Sequence, residues 1–261
     1  MNRKAQLMTK ILCWTISALL LTACVTTTES KRFGDNADAD KALQQYTELG
    51  LRYIQQGKTV EARRPLKRAL EIDAKSPDVH HALAILFQNE QESALADQHF
   101  LKALQYGPDR TSFRNNYAAF LFGQKRYAEA CHQFEKAGED TLYDNRSAVY
   151  ENLGVCYLEL GRKDDALTAF ERAISINDAQ PRALLEAALI YFEQGNIAAS
   201  TKYHRQHQQL VRFRFTPNSP RNLALGVELA RSNNDKNEEA SYLLMLKNMF
   251  PNSDEYRRIQ K

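Results

Sequence analysis

Small and large apolar residues return along this chain at a fixed distance. Gly50 is followed by Tyr53, Ala62, Leu66 and Ala69, at offsets of 3, 12, 16 and 19. The same places hold Ala84, Phe87, Ala96, Phe100 and Ala103, then Ala118, Leu121, Ala130, Phe134 and Ala137, then Gly154, Tyr157, Ala166, Phe170 and Ala173. A fifth copy keeps Ala188 and Tyr191 but puts Ser200, His204 and His207 in the later places, and a sixth around Gly226, Leu229 and Ala240 is looser. The opening small residues are separated by 34, 34, 36, 34 and 38 residues, so longer connections follow Ala137 and His207. Residues three and four apart share one face of a helix. The spacing therefore predicts two antiparallel helices per copy, in which Gly or Ala lets the backbones approach while Tyr or Phe fills the neighbouring groove. Gly57, Gly161 and Gly195 fall where a left-handed cap would end the first helix of a copy. Pro77, Pro108 and Pro181 fall between copies, where no helical hydrogen bond is lost.

This alternation resembles the tetratricopeptide repeat, from about Leu43 to the carboxyl end. The resemblance implies an all-α superhelix of about six helix-turn-helix units, because one pair cannot bury its apolar face alone and successive pairs must share a core. In that family the first helices line the concave face. The candidate partner-binding groove then comprises Leu51 and Ile54, His81, Ile85 and Gln88, Asn115, Ala119 and Phe122, Glu151, Val155 and Leu158, and Leu185, Leu189 and Phe192. Such a groove, apolar with a few polar points, suits an amphipathic helix or an extended peptide from another protein. Roughly half of these residues are expected to serve packing between units instead. Some tetratricopeptide proteins clamp a carboxylate terminus with ordered Lys, Arg and Asn side chains, and only Asn115 matches that array.

The chain begins differently. Arg3, Lys4 and Lys10 precede an apolar run of eleven residues, Ile11 to Leu21, and then Thr22, Ala23 and Cys24. This is the pattern of an export signal, its apolar region too short for a permanent spanning helix. The ending Leu-Thr-Ala-Cys resembles the bacterial lipobox, which implies cleavage before Cys24 and fatty acylation, of the palmitate type, on its sulfur and on the new amino terminus. Two or more acyl chains anchor stably where one holds only marginally. In the sorting pattern this resembles, an Asp after the lipidated Cys retains a protein in the inner membrane; Val25 stands there, so the expected site is the outer membrane, facing the periplasm. Residues 25–40 are polar and small with no repeating apolar position, and read as a flexible tether with a reach of ~20 to 25 Å. The chain thus divides into a leader, 1–23, a lipidated tether, 24–40, and a repeat body, 41–261.

Cys131 and Cys156 remain once Cys13 leaves with the leader and Cys24 is acylated. They fall on neighbouring helices of the third and fourth copies. In an oxidising compartment such a pair can bond, and free cysteine is equally common as a small core residue, so both readings stand. In the second long connection Phe213 and Phe215 alternate with Arg212 and Arg214 before Pro217 and Pro220. A linker whose phenylalanines pack on the last unit is expected, an extended edge open to a partner being the alternative. His204 and His207 share a helical face but occupy core positions of the repeat, and read as a packing pair rather than metal ligands.

Catalytic and phosphate-binding motifs are absent from the sequence: no glycine-rich phosphate loop, no His-Glu-x-x-His, no Gly-x-Ser-x-Gly. No enzyme activity, small-molecule substrate, cofactor or metal is expected. The formal charge of +3 comes from the three bases of the leader; without them 32 bases face 32 acids, which gives no counterion-release reason for a nucleic-acid partner. Apolar residues at 43% and a mean hydropathy of -0.55 exclude a polytopic membrane protein.

Lipobox, polar tether, unit number and unit lengths together resemble the type IV pilus biogenesis lipoproteins, the PilF/PilW pilotins. The stretch NYAAFLFGQKRYAEACHQFEKA, Asn116 to Ala137, and the pair Cys131 and Cys156 are also similar to that family. The resemblance implies a non-enzymatic assembly factor whose partner is the outer-membrane secretin subunit, carried by the lipid on Cys24 to the membrane in which it multimerises. An adaptor for outer-membrane barrel assembly or for peptidoglycan hydrolases is the alternative for this architecture.

Overall fold

In the computed structural model, which describes residues 32–260, every regular element among the described residues is a helix. Residues 1–31, with the expected leader and Cys24 among them, lie outside the described residues. Among the described residues there are thirteen helices, the first twelve of which pair in chain order. Two bodies are distinguished, one up to Ala74 and one from Lys75 onward.

The first body is a single hairpin, α1 (Arg32–Gln55) and α2 (Thr59–Ile72). Its turn is closed by Gly57 at φ +72°, with the Gly57 and Lys58 amides donating to the Ile54 and Tyr53 carbonyls at 2.9 Å. Ile54, Ala62, Leu66 and Ala69 are buried between the helices. The expected end of the coil at residue 40 is corrected here, since α1 already begins at Arg32. Residues such as Ala37, Ala39 and Ala42 carry no apolar stripe, yet they are good helix formers, and extending a nucleated helix costs far less than starting one.

The second body holds five hairpins and a short final helix: α3 (Pro77–Asn89) with α4 (Ser93–Tyr106), α5 (Thr111–Gly123) with α6 (Tyr127–Gly138), α7 (Arg146–Glu159) with α8 (Lys163–Ile176), α9 (Pro181–Glu193) with α10 (Ile197–Arg212), α11 (Pro220–Ser232) with α12 (Lys236–Met249), then α13 (Asp254–Ile259). One continuous core runs from α3 to α9 and contains the repeat residues Ala84, Phe100, Ala118, Leu121, Phe134, Phe170 and Ala173. The small residue opening each copy is set by contact. A Cβ on Gly154 would stand 2.5 Å from the Phe170 ring, so only glycine lets α7 and α8 close to this distance.

The turns repeat with the copies. Gly161 and Gly195 adopt φ near +72° and +75°, and Gln91, Lys125 and Asn234 take the same left-handed conformation at the corresponding turns. Pro77, Pro181 and Pro220 each open a helix, and Ser76 and Ser219 cap the first and last of these through their side chains.

Between α6 and α7, Cys131 and Cys156 are bonded, with Cα atoms 5.6 Å apart and both residues buried. His204 and His207 are buried on α10. His204 Nε2 meets the Asn222 carbonyl and Oδ1 at 3.0 and 3.1 Å, whereas His207 Nδ1 finds no partner among the described residues. The expected packing of Phe213 and Phe215 on the last unit is overturned: they are 70% and 73% exposed. The connection is not a strand either; it is a turn that ends α10 and points both rings away from the body.

Candidate partner-binding surfaces

The residues singled out for a groove fall on the first helix of each hairpin, and packing sorts them. In the second body Ile85, Phe122, Val155 and Leu158 are half-buried and lie against the continuous core, each keeping one side open. Leu189 and Phe192 do the same over a smaller cluster formed with Leu225 and Leu229 of α11. Gln88 and Ala119 are exposed. Two assignments are corrected. Ile54 is buried beneath α2 in the first body, and Leu185 is buried against α11, because close approach of the next helix leaves neither face open. Leu51 is half-buried and, like Ile54, belongs to the first body.

The polar points have structural partners. The His81 ring stacks on Phe113 at 4.1 Å between centroids and accepts at Nε2 from the Asn116 amide at 2.9 Å. Burial holds its pKa down, at about 4, so the ring is neutral at pH 7. Glu151 accepts from the Ala183 amide at 3.1 Å and thereby caps the start of α9 from the preceding hairpin, with Arg182 at 4.0 Å. Asn115 differs: its Oδ1 is buried and meets no donor among the described residues.

Along this face one cleft of about 160 Å³ opens between α5, α7 and α9. It is lined by Ala119, Phe122, Phe134, Asn152, Val155 and Arg182. Asn152 and Arg182 were missed by the sequence reading; Asn152 sits a turn from Val155, and Arg182 follows the helix-opening Pro181, so position alone could have found both.

A larger surface lies in the first body, on the side of α1 away from Leu51 and Ile54. Tyr46, Leu49 and Tyr53 of α1, at helical spacing of three and four, face Val60, Pro65 and Ile72 of α2 across a cleft of about 910 Å³. Val60 is 75% exposed, and Tyr46, Leu49 and Ile72 are also open. Arg64, Arg68, Glu61 and Glu71 rim it, Arg68 pairing with Glu71 at 2.9 Å. An open apolar cleft with a charged rim is the form of a protein-docking surface.

Comparison with known proteins places this architecture. Tetratricopeptide-repeat family models match residues 50–91, 109–179 and 152–208. Over 244 residues the chain is 41% identical to the type IV pilus assembly protein PilF of Pseudomonas aeruginosa, covering 93% of this chain and 94% of that one. The chain belongs to the PilF family. The solved structure of Pseudomonas aeruginosa PilF superposes with a TM-score of 0.75 at 39% identity, over 85% of this chain and 98% of the solved chain. PilW, a widely conserved type IV pilus biogenesis factor, shares the fold with a TM-score of 0.64 at 24% identity, over 84% of this chain and 98% of its own. YrrB, a tetratricopeptide protein with an unusual peptide-binding site, has a TM-score of 0.62 at 15% identity, over 75% of this chain and 97% of its own, a likeness of fold alone. The PilF-family chain has no helix among its described residues long and apolar enough to cross a membrane.

Proposed function

We propose that this chain is a non-enzymatic assembly factor of a type IV pilus machine, held on the periplasmic face of the outer membrane by acyl chains on Cys24. It captures the secretin subunit and promotes its localisation and multimerisation in that membrane. The observation that carries the reading is the 41% identity to PilF over nearly the whole of both chains. Support for capture of a polypeptide comes from the two apolar clefts, above all the exposed Tyr46, Leu49, Val60 and Ile72 of the first body. The unpaired Oδ1 of Asn115 adds to it, since an N–H from a bound segment would relieve a desolvation cost of about 1–3 kcal/mol.

The mechanism is confinement. A subunit bound to a membrane-held body is restricted to a thin layer at its destination, which raises its effective concentration there without any new contact between subunits. The test is a deletion strain complemented with either the native chain or Cys24→Ala. The deletion should lack secretin multimers while other outer-membrane barrels stay normal, and Cys24→Ala should restore few of them. Normal multimers in the deletion strain, or general barrel loss, would remove the reading.

A further inference from the structure

The end of α10 and the connection after it present a chemistry that capture of a polypeptide does not use. Phe213 and Phe215 are 70% and 73% exposed, while the other phenylalanines of the second body are buried or half-buried. Arginines are interleaved with them. Arg205, Arg212 and Arg214 are exposed and, like Arg172 on α8, stand within ion-pair distance of no carboxylate among the described residues, whereas Arg110, Arg126, Arg162, Arg221 and Arg231 each hold at least one. Residues 211–219 contain no acid.

The backbone that carries the rings is also held in place. The Phe215 amide donates to the Leu210 carbonyl and the Arg214 amide to the Val211 carbonyl, both at 3.0 Å, closing α10 in a Schellman-type turn. Arg214 takes the left-handed position at φ +63°, a place glycine fills at less cost. At the far end Ser219 caps α11, and Asn218 accepts from the Asn222 side-chain amide at 2.8 Å. A turn pinned at both ends loses little conformational freedom on docking.

We propose that this element is a bilayer contact, docking on an anionic lipid surface independently of any acyl anchor. Two rings exposed side by side on one turn match the interfacial layer of a bilayer, in which aromatic side chains settle while arginines extend to headgroup phosphates. A protein partner would have to supply a pocket for each ring. Each arginine near an anionic surface adds its own attraction, and salt weakens it.

The experiment uses the full chain with Trp14→Phe and Phe215→Trp, so that the only tryptophan lies in the turn. It is mixed with vesicles of phosphatidylcholine alone or with phosphatidylglycerol, carrying brominated acyl chains. Quenching of the residue 215 fluorescence is expected in the anionic vesicles and little in the neutral ones. Arg212→Gln with Arg214→Gln should weaken the vesicle affinity about 30-fold, with unchanged helical circular dichroism. Equal emission in both vesicles and in buffer overturns the proposal, as does shielding that appears only when purified secretin subunit is added. A chain that sediments with vesicles while its reporter stays unquenched keeps the Cys24 anchor and eliminates this contact.

Discussion

Single residues in this protein are fixed by what stands 3 Å away. Gly154 is the sharpest case: the Phe170 ring occupies the space in which any side chain would begin. Gly154→Val must push α7 from α8, and overpacking of this kind costs about 1–3 kcal/mol; a matching fall in the urea midpoint with an unchanged slope is the expected readout. The buried histidines make a second prediction at this scale. Burial depresses His81 and His207 to about 4 from an ordinary 6.5, the nearby His204 adding to the effect on His207. An unfolded chain therefore binds protons between pH 6.5 and 4 that the folded one refuses, so stability falls as pH drops through that window and is level above it. His207→Ala, which restores the alanine of the other copies, should flatten the dependence of melting temperature on pH between 7.5 and 5. An unchanged slope would put the proton uptake elsewhere.

Helices and turns were the most legible part of the sequence, because the same five positions recur in register and each has a mechanical reason. Small residues meet rings across a hairpin, and glycines sit at φ near +72° in its turn. What escaped had no periodic signature. The start of α1 at Arg32 follows from helix propensity and propagation rather than from an apolar stripe. The exposure of Phe213 and Phe215 depends on a turn whose left-handed residue is Arg214, where no glycine announces it. Glu151 looked like a groove residue and is a cap for α9, a role set by the next hairpin. The cysteines illustrate the middle ground: their helices were predictable neighbours, but the 5.6 Å separation of their Cα atoms is a property of packing between α6 and α7. That bond closes a segment of 25 residues. Its loss in Cys131→Ala with Cys156→Ala should cost about 3 kcal/mol, measured by denaturant unfolding, and reductant should lower native stability while leaving the double variant untouched.

For the whole molecule, the groove proposed from repeat geometry is only partly open. In the second body much of the first-helix face is consumed by packing, which leaves a cleft of about 160 Å³ there and one of about 520 Å³ between α7 and α8 at Tyr150, Leu153 and Tyr157, while the first body exposes one of about 910 Å³. Area open to solvent and apolar is what a partner can cover, so the larger cleft should dominate capture. Val60 and Ala119 separate the two surfaces cleanly, since both are exposed and substitution at such positions ordinarily changes stability by less than about 0.5 kcal/mol. Val60→Asp places a charge on the apolar wall of the first cleft, and Ala119→Arg fills the mouth of the second. Val60→Asp is expected to weaken capture of the secretin subunit at least tenfold, the loss of one well-buried apolar anchor at about 1.5–3 kcal/mol, and Ala119→Arg to weaken it less. Binding of the purified subunit to each variant, at equal melting temperature, measures this. The reverse order would return the docking site to the first-helix face, where Asn115 Oδ1 meets no donor among the described residues.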